Sequence, residues 1–315
     1  MYIIGINAFH GDSSACLLKD GKLVAAAEEE RFRRIKHWAG FPSQSIKWCL
    51  SEAGIKLENV NHIAINQDAK ANINKKILFA LHKRPNFKMI IDRFKNMRRR
   101  LNLKDYILNE FPDSRFNGLF HLVEHHLSHL SSAFHVSPFD QAVTVSVDGF
   151  GDFASTAWGI GEGVKINLEE RIYFPHSLGI FYQALTQFIG FHNYGDEYKV
   201  MGLAPYGKPT FIKHMRQIVK LKLNGNFELN LNYFRHHKEK IEYLWDKGSP
   251  NVGTLYSSEL IKLLGPARLK NEDITQYHKD IACSVQAMYE EAFFNLLNNL
   301  FTSSKTPVNG LIKWW

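Results

Sequence analysis

Two histidines, His125 and His129, lie four positions apart in a segment whose pattern predicts a helix. Residues four apart share one helix face and lie one turn from each other, so both imidazoles can reach the same metal ion. A bare His-x-x-x-His spacing often arises by chance, and by itself it does not establish a metal site. The neighbouring His126 points about 100° away, which predicts a surface residue or a neighbour of the site rather than a ligand.

A carboxylate is predicted to join these histidines. Asp148 is the first residue after an apolar strand predicted at 142–147, and the carboxyl ends of strands in α/β sheets face the ligand crevice. Two imidazoles and one carboxylate suit iron, manganese or zinc better than magnesium or calcium, which prefer oxygen ligands. The same set forms the facial triad of non-haem iron oxygenases, an alternative that the helical position of the histidines disfavours.

The elements that must hold these residues show a repeated pattern. A strand predicted at 2–7 leads through a polar glycine loop into strands at 15–18 and 23–27, and a second strand, glycine loop and strand follow at 142–160. Glycine in such loops lets backbone N–H groups approach phosphate oxygens, which predicts nucleotide binding. Asp152 has the alternative role of orienting its own loop. The loop residues assigned to cofactor binding are Gly11, Asp12, Ser13, Gly149, Gly151 and Asp152.

Two such units predict a duplicated α/β fold with a cleft between its halves, the ribonuclease H-like layout of actin, sugar kinases and heat-shock ATPases. Helices are predicted after an N-cap at Ser43 with Gly54 past the end, over 177–189, and over about 273–301. The last of these helices keeps a 3.6-residue period, which assigns one face to the core. That face consists of Ile274, Tyr277, Ile281, Val285, Met288 and Ala292.

The composition is that of a globular protein large enough for two lobes, with 315 residues, 45% hydrophobic and 22% charged. No run approaches the roughly 20 apolar residues that cross a bilayer. The chain begins in a predicted strand rather than a signal peptide, so a cytoplasmic protein without a membrane span is expected. The three cysteines are widely separated, which predicts neither disulfides nor a zinc ribbon.

The net charge of +8 is concentrated in one segment. Residues 75–104 contain 11 basic residues and one acidic residue, so the rest of the chain carries about −2. Apolar residues recur there at helical spacing, which predicts two basic helices broken near Pro85. A solvated helical insertion is the favoured interpretation, and an anionic partner such as an acidic glycan, a lipid or RNA is the alternative.

Five segments, in the same order along the chain, resemble the NodU/CmcH-type O-carbamoyltransferases, which share an ancestor with tRNA threonylcarbamoyl transferases. The likeness covers most of residues 1–301 and is specific because the motifs are collinear. Two of the motifs are His125-His-Leu-Ser-His129 and Asp148-Gly-Phe-Gly-Asp152. All five lie at 5–15, 26–36, 125–129, 148–152 and 197–207.

The resemblance implies that this chain corresponds to the N-terminal domain, which transfers a carbamoyl group from carbamoyl adenylate to a hydroxyl of a small molecule or sugar. A C-terminal domain of the family makes the adenylate from ATP and carbamoyl phosphate. The resemblance also implies a divalent metal, with iron expected, bound by His125, His129 and Asp148.

Further site residues follow from the same resemblance. His10 and Lys36 match residues that hold or activate the carbamoyl adenylate, while Lys199 and Gly202 fall in a loop that lines the substrate side. Read without the family, His10 is a cap of its turn and Lys36 one solvated charge among several, and both alternatives stay open.

The end of the chain departs from the family pattern. A strand, a Gly-Gly loop and an aspartate that completes the metal site are expected after the long helix, whereas residues 302–315 predict no strand. The prediction is a first lobe at 1–124 with an insertion at about 70–110, and an incomplete second lobe at 125–315 without the C-terminal domain. An uncovered sheet edge predicts marginal stability or a separate chain that supplies the missing region.

Three functions remain as alternatives. The first is metal-assisted O-carbamoyl transfer, with activity of this chain alone left open. The second is a non-catalytic remnant or partner-dependent subunit. The third is an RNA-directed relative of the threonylcarbamoyl transferases that uses the basic segment 75–104, although nucleic acid is the less expected partner.

Overall fold

The computed structural model describes residues 1–83, 103–244, 250–303 and 311–314. These residues form two compact units. The first unit contains Met1–Ala71, Pro85–His125 and Leu244–Pro250, and the second contains Asn72–Arg84, His126–Tyr243 and Asn251–Trp315.

Both units contain helices and strands. The helices are α1 (Glu30–Arg33), α2 (Ser43–Glu52), α3 (Ile73–Lys83), α4 (Leu103–Glu110), α5 (His125–Phe134), α6 (Leu178–Phe188), α7 (Glu197–Leu203), α8 (Ile212–Ile218), α9 (Ser258–Leu264) and α10 (Gln276–Ser303). The strands are β1 (Tyr2–Asn7), β2 (Ser14–Lys19), β3 (Lys22–Glu28), β4 (His62–Ile65), β5 (Leu119–Leu122), β6 (Gln141–Gly151), β7 (Ala154–Glu162), β8 (Lys165–Tyr173), β9 (Val219–Leu221), β10 (Phe227–Leu229), β11 (Tyr243–Leu244), β12 (Asn251–Val252) and β13 (Leu311–Trp314). Among the described residues, no helix combines the length and the apolar character that crossing a membrane requires.

The sheet of the first unit has the strand order β3-β2-β1-β4-β5. Strands β1 to β3 form an antiparallel meander joined by short connections, whereas β4 and β5 run parallel to β1. Side chains alternate along β1, so that Ile4 and Ile6 are buried in one cluster with Ile46 and Cys49 of α2.

The sheet of the second unit repeats this topology. Its order is β8-β7-β6-β13, with β6 to β8 antiparallel and β13 parallel to β6. Each sheet therefore consists of a three-stranded meander whose first strand is followed by a parallel neighbour. The repeat confirms the duplicated, actin-like α/β fold predicted from the two strand–loop–strand patterns.

Strand β13 corrects one expectation for the end of the chain. No strand is predicted after the long helix, yet Leu311 pairs with Val143 and Trp314 pairs with Ser146. The expectation that no strand follows the long helix is therefore wrong, whereas an incomplete second lobe stays a prediction. Because β6 is buried along 142–147, its backbone N–H and C=O groups need strand partners on both sides. The short run Leu311-Ile-Lys-Trp314 has the β-forming residues to supply one of them.

The core of the second unit is built on α6 and α10. Every residue of α6 except Gly179 is buried. On α10, Ile281, Val285 and Met288 are 0% exposed, which confirms the predicted core face, and each such side chain stabilises the fold by about 2 kcal/mol. Ile274 was assigned to the same face, but it precedes the helix and is 39% exposed.

Helix α3 contains the first residues of the basic segment 75–104. The second predicted helix, beyond Pro85, lies outside the described residues. The predicted insertion at about 70–110 belongs to the first lobe, whereas α3 belongs to the second unit. Aromatic packing is the reason, because the ring of Phe79 lies 5.8 Å from that of Phe153 and 5.0 Å from that of Phe174.

Helix α2 begins differently from its prediction. Ser43 is the first helical residue and not the N-cap. The carboxylate of Glu29 satisfies the first-turn amides instead, accepting hydrogen bonds from the backbone N–H of Ser45 at 2.8 Å and of Gln44 at 3.2 Å. Gly54 follows the end of the helix with a φ of 62°, as the sequence predicts.

Candidate metal centre and active site

The potential ligand atoms of His125, His129 and Asp148 all lie within 4.8 Å of one another. His125 is the last residue of the first unit and the first residue of α5. The Nε2 atom of His129 is 3.5 Å from Oδ2 of Asp148. The structure thus brings together the three side chains that the sequence predicts as one ligand set, while their role as ligands stays a prediction.

The chemistry of these three donors fits a divalent first-row ion. His125 is 8% exposed, and the side chains of His129 and Asp148 are 22% and 35% exposed. Such a set is shielded on one side and open on the other, which leaves room for further ligands from water or substrate. Two nitrogens and one carboxylate oxygen match iron, manganese or zinc.

Packing on the other face of α5 fixes the direction of the two histidines. Leu130 and Phe134 are buried at 0% and 2% exposure, and they lie about 140° around the helix from the histidine pair. Gly161 of β7 lies under the ring of Phe134, where a Cβ atom would approach Cγ to 2.5 Å. A small residue in β7 therefore lets α5 pack closely on the sheet.

The backbone of Asp148 is fixed by residues that the sequence analysis did not single out. The regular pairing of β6 with β7 breaks after Val147, so Asp148 lies at the end of the ladder. The hydroxyl of Ser177 donates to the carbonyl of Asp148 at 3.0 Å. A Cβ atom on Gly179 would lie 2.8 Å from that carbonyl oxygen and from the amide nitrogen of Gly149. Glycine is disfavoured in a helix, so Gly179 in the first turn of α6 could have indicated this close approach from the sequence alone.

His126 lies beside the site and not on the surface. It is 0% exposed, and its Nδ1 atom is 2.9 Å from the hydroxyl of Ser146 on β6. The structure therefore supports the interpretation of His126 as a neighbour of the predicted ligands and not as a surface residue.

His10 is in contact with the first of the predicted ligands. Its ring packs edge-on against that of His125, with 6.0 Å between the centroids. The side chain of Asn7 closes the loop that carries His10 by donating to the carbonyls of Asp12 at 2.7 Å and Gly11 at 3.5 Å. This contact places His10 beside His125, while its role in donor binding stays a prediction.

Residues 37–40 hold the same loop from another side. The hydroxyl of Ser13 donates to the carbonyl of Gly40 at 2.9 Å and accepts from its N–H at 3.0 Å. Backbone bonds from Phe9 to Gly40 and from Ser13 to Trp38, both 3.0 Å, complete the connection. Lys36, which is exposed, immediately precedes this segment, and its role also stays a prediction.

A second group of potential ligand atoms consists of Asp12, Glu30 and His37. Nδ1 of His37 is 2.8 Å from Oδ1 of Asp12, and the backbone N–H of His37 donates to the carboxylate of Glu30 at 3.0 Å. The hydrogen bond to Asp12 raises the pKa of His37, although burial opposes the shift. Because the short contacts of His37 with Asp12 and Glu30 account for this grouping, we assign it to hydrogen bonding.

The second glycine loop contains one open position. A Cβ atom on Gly149 would meet nothing within 4 Å, and the Gly149 N–H donates to Oδ1 of Asp148 at 2.6 Å. Gly151 returns the chain to the ladder with β7. Asp152 is 8% exposed with a φ of 47°, and its carbonyl accepts from the side chain of Asn72 at 2.9 Å. These contacts favour the role of Asp152 in shaping its loop, and nucleotide binding stays a prediction.

Lys199 and Gly202 lie on α7. The ammonium group of Lys199 is 2.6 Å from Oδ1 of the buried Asp196 and 5.5 Å from the ring centroid of Phe191. Gly202 is exposed, and a Cβ atom there would meet nothing within 4 Å. Their position on the substrate side stays a prediction.

Comparison with known proteins gives a match over nearly the whole chain. Residues 2–309 match the family model described as carbamoyltransferase N-terminus. The chain is 36% identical over 309 residues to an uncharacterised protein of Synechocystis sp., covering 95% of this chain and 48% of that protein. It is 33% identical over 294 residues to nodulation protein NolNO of Sinorhizobium fredii, covering 93% of this chain and 39% of that protein. The chain thus spans less than half the length of both relatives.

Solved structures are similar at lower sequence identity. Component A of (R)-2-hydroxyglutaryl-CoA dehydratase from Acidaminococcus fermentans is 13% identical with a TM-score of 0.44, covering 99% of this chain and 81% of that one. HypF of T. kodakarensis is 13% identical with a TM-score of 0.41, covering 98% of this chain and 41% of that one. Because the family match extends over residues 2–309, the chain belongs to the carbamoyltransferase N-terminus family.

Proposed function

We propose that this chain transfers a carbamoyl group from carbamoyl adenylate to a hydroxyl of a small molecule or sugar, assisted by a divalent metal ion, with iron expected. The observation that supports this most directly is the convergence of potential ligand atoms from His125, His129 and Asp148. Family membership supplies the class of reaction, and this convergence supplies a place for it.

The reaction requires charge neutralisation and one proton transfer. The acceptor oxygen attacks the carbamoyl carbon, the bond between that carbon and the phosphate oxygen breaks, AMP leaves, and the hydroxyl proton passes to a base. His125, His129 and Asp148 would hold the metal ion, which would supply positive charge to offset that of the departing phosphate.

The chain's own residues supply the remaining parts. His10 packs against His125, and its imidazole can orient the donor or accept the hydroxyl proton. Lys36 offers a positive charge for the adenylate phosphate. The space at the Cβ position of Gly149 suits close approach of phosphate or ribose oxygens to the loop.

Binding measurements on the purified chain test this proposal. Cobalt(II) is titrated while its visible absorption is followed, and the metal-loaded chain is then titrated calorimetrically with carbamoyl adenylate. We expect one equivalent of bound metal, and heat of adenylate binding that is lost in His125→Ala and His129→Ala. Removing one of three ligands lowers metal affinity by about 100-fold or more.

His135→Ala is the matched control, because His135 is an exposed histidine one residue beyond α5. This variant is expected to bind metal and adenylate like the unmodified chain. Metal binding without any adenylate binding would contradict carbamoyl transfer by this chain and leave the non-catalytic or partner-dependent alternative. Unchanged metal affinity in both ligand variants would contradict the proposed centre itself.

A further inference from the structure

We propose that His37 is a positioning residue, whose hydrogen bond to Asp12 holds the turn that carries Lys36 against the loop that carries His10. The pair also offsets the charge of the Asp12 carboxylate, so that it does not repel the adenylate phosphate. This inference rests on the proposed function, because it assigns a purpose to the geometry of the donor site.

The contact between His37 and Asp12 joins the two segments at the end where Lys36 lies. Nδ1 of His37 and Oδ1 of Asp12 are 2.8 Å apart, with side chains 19% and 46% exposed. Backbone bonds to Trp38 and Gly40 already join the two segments further along the chain. The side-chain pair extends this connection to the residue next to Lys36, so its loss should displace residue 36 most.

Both partners adopt backbone conformations that disfavour side chains. The φ values are 63° at Asp12 and 54° at His37, in the left-handed region. Glycine enters this region freely, whereas Asp and His enter it only at a cost. The hydrogen bond between the two side chains offsets part of this cost, and backbone strain of this kind is common at functional sites.

The charges around His37 come from both segments that face it. Asp12 on the loop and Glu30 on α1 favour the protonated ring, whereas Lys36 and burial oppose it. Hydrogen bonding to Asp12 is the largest of these effects, and it raises the pKa of His37. A protonated His37 makes a charge-assisted bond and cancels the Asp12 charge. Lys36 is close enough to influence the titration of His37.

Two substitutions of His37 distinguish the effect of its hydrogen bond from that of its imidazole ring. Asparagine places an amide nitrogen close to the position of Nδ1, tolerates the left-handed region and does not titrate, so His37→Asn keeps the bond. His37→Ala removes it. We expect carbamoyl adenylate to bind the metal-loaded His37→Ala chain about tenfold more weakly or worse, and the His37→Asn chain within about threefold of the unmodified affinity.

Two further readouts distinguish positioning from simple stabilisation. Adenylate affinity of the unmodified chain should fall as the pH rises through the raised pKa of His37, because the protonated ring is lost, whereas that of His37→Asn should stay level. Bound adenylate should also protect Lys36 from amine-specific labelling in the unmodified chain and in His37→Asn, but not in His37→Ala.

His62→Ala is the matched control, because it removes a histidine whose Nδ1 lies 2.9 Å from His121 Nε2 in the same unit. Both alanine variants should lower the midpoint of thermal unfolding slightly, and only His37→Ala should lose adenylate affinity. Equal affinity in His37→Ala and the unmodified chain would overturn the positioning role alone, as would His37→Asn binding as weakly as His37→Ala. No adenylate binding by the unmodified chain would overturn the proposed function and this inference with it.

Discussion

Ser177 holds the backbone of Asp148 with the same hydroxyl that caps a helix. Its Oγ atom donates to the Asp148 carbonyl at 3.0 Å and accepts from the backbone N–H of Ile180, also at 3.0 Å. The start of α6 is therefore tied to the end of the regular ladder in β6. Immobilising a flexible strand end when its side chain binds a metal ion would cost conformational entropy. The connection through Ser177 reduces this cost for Asp148.

Gly179 is predicted to control the geometry of Asp148. In Gly179→Ala the new Cβ would lie 2.8 Å from the Asp148 carbonyl oxygen, so the peptide between Asp148 and Gly149 must move. We expect metal affinity to fall by about tenfold to 100-fold, and the free energy of unfolding to fall by about 1–3 kcal/mol. Cobalt(II) titration and urea denaturation measure the two effects.

Gly163→Ala separates the loss of stability from the loss of metal affinity. Gly163 lies in the turn between β7 and β8 with a φ of 57° and open space around its Cβ position. Alanine there costs about 1–2 kcal/mol through backbone strain, and metal affinity should not change. If Gly179→Ala bound cobalt as tightly as this control, the close approach to Asp148 would have no functional consequence.

The proximity of His125, His129 and Asp148 was predictable because it depends on local periodicity. His125 and His129 are a helical turn apart in any helix, and Asp148 follows a run whose pattern predicts a buried strand. The support for that set was not predictable in the same way. Gly179 and Ser177 meet Asp148 through packing between elements about 30 residues apart, and single-sequence periodicity does not report such contacts.

Glu29 is predicted to be a large contributor to the stability of the first unit. Its carboxylate is fully buried and accepts from the backbone N–H and hydroxyl of Ser45, the N–H of Gln44 and Nε of Arg33. Glu29→Ala leaves these donors without their acceptor, and we expect the free energy of unfolding to fall by about 3 kcal/mol. Chemical denaturation gives this value directly.

Glu28→Ala tests whether that loss comes from burial rather than from charge. Glu28 is adjacent in sequence, is 47% exposed and lies 3.8 Å from Arg31. An exposed ion pair of this kind contributes about 0–1 kcal/mol. Equal losses in the two variants would show that the buried network around Glu29 does not stabilise the fold.

Elements that depend on long-range partners were the ones the sequence did not predict. Ser43 has the residue type of an N-cap, but the buried Glu29 takes that role from 14 residues upstream. Likewise β13 is a run of four residues, too short for periodicity to identify, and only the pairing requirement of β6 explains it. Local sequence patterns predicted the longer elements. The start of α2 and the presence of β13 depend instead on satisfying buried backbone hydrogen-bonding groups.

His236 is predicted to make the protein lose stability as the pH falls below neutrality. Burial lowers its pKa from 6.5 to about 4, and the nearby His237 and His176 act in the same direction, against a hydrogen bond to the Pro175 carbonyl. Between these two values the unfolded chain binds a proton that the folded chain excludes. Stability is therefore fully present above pH 6.5 and declines as the pH falls toward 4, by about 3 kcal/mol in total.

His236→Gln isolates this contribution, because its side-chain amide can keep the 2.8 Å bond from the Nε2 position to Pro175 without titrating. His192 and His278, whose pKa values burial also lowers, remain in the variant and retain part of the slope. Urea denaturation at pH 7.5 and at pH 4.5, compared between the two chains, should therefore show a clearly smaller loss for His236→Gln. Equal losses would mean that His236 takes up its proton without leaving its buried position, which would require water or a carboxylate to reach the ring in the folded state.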